Sequence, residues 1–483
     1  MRTLTALEPY VPSTDKPWNE RRIRHLYDRL GYGARLSDLQ EGLQLSPGEL
    51  VDQLINQVMA APQPPPPFWA NYTSDDYGDD NDMVFEHKAE FVARWAAAMI
   101  DDPIRSKMAL FWHNHFVTEE EVYGCNSYMW SYFALLYQQA FGNFRTFVEE
   151  MGKNPAMLVY LNGNINVADA PNENYARDLM ELFTMGQNNG YTQTDVVEVS
   201  RALTGWRVEM YECTPPYFDN NLFDGSSKSI FGRSGNWGYD DVHELIFTER
   251  SAETATYICS KLYKFLVYDK TDDEVIQAMA QSFQDNNWEL APVLRTLLKS
   301  DHFFDERFIN SRIKDPFEYF ISLLRIAGIE STDLEADWSY ELFSFCRECG
   351  QELFNPVDVA GWPGHHSWIN ENTLTVRWGF MSTLLFSRLG NSDDLKGTLR
   401  QLAVDLTDRL EKDPAVVTQA LIAHFLNTSL DEAHAQAALQ YFKGEIPENY
   451  FEDGTWTLYF PEVPDQILNL LFYLMRLPEG QLA

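Results

Sequence analysis

The chain has 483 residues, 45% apolar and 14% aromatic, enough for a large core and too apolar for disorder over most of its length. Its 37 Lys and Arg against 72 Asp and Glu leave a net charge of −35. Such a surface repels phosphate backbones and anionic lipid, so nucleic acid and membrane surfaces are not expected partners.

The dominant period is helical, and the expected class is mainly α, with two long irregular loop segments and little or no sheet. At this length several packed units are expected: residues 1–60 as an N-terminal helical unit, 61–80 as a Pro-rich strap, 81–390 as the main domain and 391–483 as a C-terminal helical subdomain. The N-terminus has no apolar signal region, and no run reaches the roughly 18 apolar residues that a membrane span needs, so a soluble protein is expected.

"SPGELVDQLINQVM" opens with Ser46 as N-cap and Pro47 at the first helical position. The four prolines of "APQPPPPFW" then force an extended segment. Helical patterning resumes from about Asn81 to Phe116 and ends in "FWHNHF". His113 and His115 are two apart and do not share a helix face. At a helix end or in extended chain both would reach one ion, which makes them the candidate ligands of a divalent metal.

"PNENYARDLMELFTMG" predicts a helix over 173–185, with Asn172 as N-cap and Gly186 as stop. Glu173, Arg177 and Glu181 lie at i, i+4 and i+8 on one face, with Asn174 and Asp178 beside them. They form either a buried, mutually paired network or one wall of a site. The next helix, 193–204, starts at Thr192 with Asp195 placed for a capping box.

Periodicity then fails over 206–237, a length of loop that is usually functional. This segment holds Trp206, Asp224, Lys228 and Trp237. Helices are predicted again over 239–247, 251–267, 272–284, 289–299, 315–327 and 335–348. The second irregular stretch, "NPVDVAGWPGHHSWIN" at 355–370, carries Trp362, Trp368, His365 and His366, and a helix over 371–389 follows. His243 reads as a capping or surface group.

Five cysteines are too few, and odd in number, for a disulfide scaffold. Cys346 and Cys349 form a lone CxxC with no second ligand pair close by, which favours packing over metal or redox work. P-loop, nucleophile-elbow, zinc-protease and calcium-loop signatures are absent.

Several segments together resemble the uncharacterised, mostly bacterial family called domain of unknown function 1800. They are "HLYDRLGYG", "LFWHNHF", "GNFRTFVEEMGKNPAMLVYLNG", "NENYARDLMELFTMGQNNGYTQTDVVEVSRALTGW", "DGSSKSIFG", "GQELFNPVDVAGWPGHHSWIN" and "RWGF". The resemblance covers nearly the whole chain. It implies an exported setting, periplasmic or secreted, and a partner similar to alkaline-phosphatase-like hydrolases. It implies no established activity. The family pattern has a His before the Asp of the 224 loop, whereas this chain has Phe223.

Two functions follow. An enzyme, with metal-assisted acid/base or hydrolytic chemistry, would use Glu173, Arg177, Glu181 and Lys228 as catalytic groups. Its site would lie between helix 173–185, segment 111–116 and the two loops, with Trp206, Asp224, Trp362 and Trp368 binding substrate. Alternatively, the tryptophans form a platform with which a non-catalytic protein binds an exported polymer or a partner hydrolase.

Overall fold

Helices begin where the sequence places their caps. Asn19 caps α1 (Glu20–Leu30), and Ser46 with Glu49 closes a capping box on α2 (Pro47–Ala60). The strap after α2 is pinned through its carbonyls: Arg105 donates to Ala61 O and Pro62 O, both at 3.0 Å, and Arg94 donates to Pro65 O at 3.3 Å. The computed structural model describes residues 5–335 and 337–483. Among them 62% are helical, in 24 helices, and only 4% form strand, so the fold is mainly α.

Pro103 splits the predicted helical stretch from Asn81 to Phe116 into α3 (Asn81–Asp101) and α4 (Pro103–His115). Helix α4 is a central pillar: from Ile104 onward every residue but Asn114 is buried. α5 (Asn126–Gln138) packs beside it.

The signature segment is a short helix, α6 (Glu173–Asp178), that passes directly into a π turn, Leu179–Thr184. Thr184 Oγ1 donates to Leu179 O at 2.6 Å, five residues back. α7 (Gln193–Ala202) follows, with the Thr192–Asp195 capping box in place. The 206–237 segment forms two small antiparallel hairpins, β1 (Trp206–Arg207) with β2 (Tyr217–Phe218), and β3 (Lys228–Ile230) with β4 (Arg233–Gly235).

Then come α8 (Tyr239–Glu249), α9 (Ser251–Leu266), α10 (Pro316–Ile326) and α11 (Trp338–Glu348). α12 (Glu371–Ser382) runs into a second π turn, Thr383–Arg388. Near the C-terminus, α13 (Val463–Arg476) packs on α12, and Tyr319 on α10 donates to Met475 O at 2.7 Å. One continuous apolar cluster extends from Tyr10 to Leu477 and takes in residues from all four expected units. No described helix is long and apolar enough to cross a membrane.

Candidate functional site

The ladder on α6 forms, but at the surface. Arg177 reaches Glu173 at 2.9 Å, Glu181 at 3.3 Å and Gln193 Oε1 at 2.9 Å, and Gln193 in turn donates to Glu173 at 2.8 Å. The Arg177 and Glu173 side chains are 38% and 40% exposed, so this is neither a buried network nor an enclosed wall. Each such pair contributes only about 0.3–0.5 kcal/mol.

The enclosed carboxyl of this helix is Asp178. Burial first, and the neighbouring Glu181 second, push it up to about 6, against the pull of Arg177. Tyr160 donates to Glu119 at 2.8 Å, and burial together with Glu119, Asp178 and Asp358 holds its phenol well above the ordinary value. Carboxyls of the 116–120 segment, the signature helix and the Trp-rich loop thus all act on one tyrosine.

His113 and His115 are core groups. The Phe354 backbone N–H donates to His113 Nε2 at 2.9 Å, which leaves the proton on Nδ1, 2.8 Å from Tyr132 Oη. Tyr132 passes its own proton to Phe116 O at 2.7 Å. Both His113 nitrogens are therefore engaged, and burial lowers the ring to about 3. His115 bonds Phe183 O through Nε2 at 3.0 Å, and burial, then the charge of Lys261, pushes it well below the usual range. A shared metal does not fit this pair: His113 has no lone pair left, and among the described residues no three His, Cys, Asp or Glu are grouped to hold an ion. His243 is likewise fully buried rather than a surface cap, its Nδ1 2.8 Å from Tyr239 O.

In the 206–237 segment the polar groups hold the loop itself. Asp224 pairs with Arg201 at 2.8 Å and accepts from the Ser226 backbone N–H at 2.9 Å. Against the opposing effect of desolvation, Ser226 and Arg201 hold its carboxyl down at about 2. Lys228 is buried, donating to Ser226 O at 2.9 Å and to Asp224 O, with its ammonium 5.0 Å from the centre of the Phe223 ring. Phe223 thus serves as the face on which Lys228 rests. Trp206 packs between Phe218 and Tyr239 with Lys153 over its ring at 5.3 Å.

A disulfide anchors this segment: Cys125, at the start of α5, is bonded to Cys213. The odd cysteine count concealed it. Cys259, Cys346 and Cys349 are free and buried, and the CxxC thiols are pushed up by that burial.

The other Trp-rich loop borders a half-open cavity. The Trp362 backbone N–H donates to Asn114 Oδ1 at 2.6 Å, and Asn114 Nδ2 returns a bond to Trp362 O at 3.3 Å. Gly361 makes this approach possible: its φ is +84°, and a Cβ there would sit 2.3 Å from Asn114 Oδ1. Beside this clip lies a cavity of about 370 Å³ between α4, α9, the 312–315 segment and the loop. Trp362, Trp368, Phe111 and Phe265 form its apolar wall, while Lys261, Lys264 and Arg312 face two carboxyls, Asp269 and Asp315. Burial, with Glu318 next, raises Asp315 to about 7, which weakens it further as a counter-ion. Glu318 itself, despite its own desolvation, is kept ionised by Arg312 and Lys107.

Lys261, a partly buried member of this lining, has no hydrogen bond and no carboxylate partner among the described residues. Its ammonium lies 5.5 Å from the centre of the Tyr257 ring. Burial, then the neighbouring Lys264, lowers it to about 8. Three polar atoms of the lining are buried without partners: Trp362 Nε1 and both ring nitrogens of His365. Of the expected site residues, only Trp362 and Trp368 line this space. His115 stacks at 6.5 Å on Phe111 of the wall, while His113, Glu173, Arg177, Glu181, Lys228, Asp224 and Trp206 are not part of the lining.

The cationic lining escapes sequence reasoning. Its one trace is the pair of lysines at i and i+3 in "YICSKLYKFL", in the more apolar half of that helix.

Residues 25–482 match the family described as "Protein of unknown function (DUF1800)". No curated protein and no solved structure matches the chain.

Proposed function

The chain belongs to the DUF1800 family, and from that premise we propose that the cavity beside Trp362 receives the anionic group of a ligand, a carboxylate, sulfate or phosphate, while Trp362, Trp368 and Phe111 take its apolar or ring portion. The carrying observation is Lys261. A partly buried lysine without a counter-ion, sharing its lining with the exposed Lys264 and the buried Arg312, leaves positive charge for an anion to join. In a chain of net charge −35 this is a local reversal of sign. The unpartnered Trp362 Nε1 supplies a neutral donor for the same anion, and the two His365 nitrogens supply a donor or an acceptor.

The ligand would be a small molecule or the end of an exported polymer, and the protein an enzyme that acts on it. The disulfide supports a periplasmic or secreted setting, where such bonds persist. Catalysis through a metal on His113 and His115 finds no support in a ring whose two nitrogens are both bonded. Titrating the protein with sulfate and phosphate, followed by tryptophan fluorescence, tests the site. Saturable binding that weakens at least tenfold in Lys261→Met is the expected result. No binding in the unaltered protein sinks the proposal.

A second reading has its own observation. Tyr211, Tyr217 and Phe218 on the disulfide-anchored loop are 87%, 43% and 44% exposed, a face suited to a polymer or a partner hydrolase. Polysaccharide or hydrolase binding that is lost in Tyr211→Ser, with anion binding intact, would favour it.

A further inference from the structure

Among the described residues, three lysines are fully buried. Lys107, Lys228 and Lys314 spend their ammonium protons on backbone carbonyls: Lys107 on Gly31 O at 2.5 Å, Lys228 on Ser226 O at 2.9 Å, Lys314 on Gly480 O at 3.3 Å. Lys107 also has Glu318 as counter-ion. These are structural cations. Lys261, which is only partly buried, does none of this. It lines a cavity, rests against an aromatic ring and has a second cation one helical turn away.

Resting on the anion pocket proposed above, we propose that Lys261 is a reactive amine that forms a reversible imine with an anionic carbonyl compound, an aldehyde or ketone bearing a carboxylate, sulfate or phosphate. Apolar enclosure and an adjacent cation are the two conditions that make a lysine nucleophilic near neutral pH. With its ammonium weakened to about 8, roughly a tenth of Lys261 is neutral amine at pH 7. Lys264 and Arg312 would hold the anionic end of the same molecule.

The step balances without a co-reactant. The neutral amine adds its electron pair to the carbonyl carbon, and a C–N bond forms. The nitrogen gives up both its protons, the carbonyl oxygen takes two and leaves as water, and a C=N bond remains. Hydrolysis runs the same steps in reverse.

Glyoxylate, the smallest aldehyde with a carboxylate, is the probe, trapped with cyanoborohydride and located by peptide mass spectrometry. Lys261 should be modified at least tenfold faster than the exposed Lys270, with a rate that rises through pH 8 and falls when sulfate is added. Lys261→Arg keeps the charge, so it should keep sulfate binding and lose the fast adduct. Labelling that follows surface exposure, with Lys261 no faster than Lys270, overturns the reactive amine. If sulfate still binds in that case, the anion pocket stands alone; if neither glyoxylate nor sulfate binds, both proposals fall.

Discussion

The Phe354 backbone N–H donates to His113 Nε2 at 2.9 Å, so a ring of the central pillar carries the start of the Trp-rich loop. The other ring nitrogen holds Tyr132 on α5. His113→Ala would strand both partners and leave a cavity, with an expected loss of about 3–5 kcal/mol in urea unfolding. A loss under about 1 kcal/mol would show that the ring is not a structural joint.

Five fully buried histidines, His25, His113, His115, His243 and His424, are all held neutral by burial, with values lowered to about 4 or less or well below the ordinary range. The unfolded chain binds these protons near pH 6.5, and the folded chain refuses them. Their stabilisation is therefore complete above pH 6.5 and is lost as pH falls toward 4, by up to about 1.4 kcal/mol per unit per ring. Tm measured from pH 8 to pH 4 should drop steeply below 6.5. A flat profile across that window would contradict the burial of these rings.

Asp178 works in the opposite direction. Its folded value of about 6 lies above the unfolded one, so the ionised carboxylate costs stability above pH 6, and the cost vanishes as pH falls toward 4. Asp178→Asn should stabilise the protein by about 1–2 kcal/mol at pH 8 and by almost nothing at pH 4. Equal effects at both pH values would mean that the charge is not the cause. Beside it, a double-mutant cycle on Arg177 and Glu173 should return under about 1 kcal/mol, as for any half-exposed pair.

Reduction of Cys125–Cys213 should lower stability by roughly 2–4 kcal/mol, because the bond spans 88 residues of chain. Tm with and without reductant gives the test, with Cys125→Ser as the control that no longer responds. Unchanged Tm after verified reduction would make the bond energetically idle.

Helix starts were legible because they rest on local chemistry. Ser46–Pro47, Asn172 and Thr192–Asp195 satisfy backbone donors only a few residues away. The π turn at 179–184 was not, since six residues are too few for an apolar pattern to separate it from an α turn. Trp362 and Trp368 stood out in the sequence through their irregular loop, but the cavity beside them did not. Neither did the partners that give the cavity its charge: Lys261 and Arg312 come together only when α9, α4 and the 312–315 segment pack, and nothing local marks a lysine as lacking a counter-ion. The ladder on α6 misled for a related reason. Its spacing fixed which residues meet, while exposure, set by distant packing, decides how little each pair contributes.

The Cys125–Cys213 bond also turns residues 125–213 into a covalent ring. That ring encloses the whole signature segment, from α5 through the hairpin of α6 and α7 to the exposed Tyr211. One protease cut inside the ring leaves the protein a single molecule until reductant is added, whereas one cut outside it yields two pieces at once. Nicking at the Tyr211 tip in an oxidising setting would therefore open the loop without releasing any part of the protein.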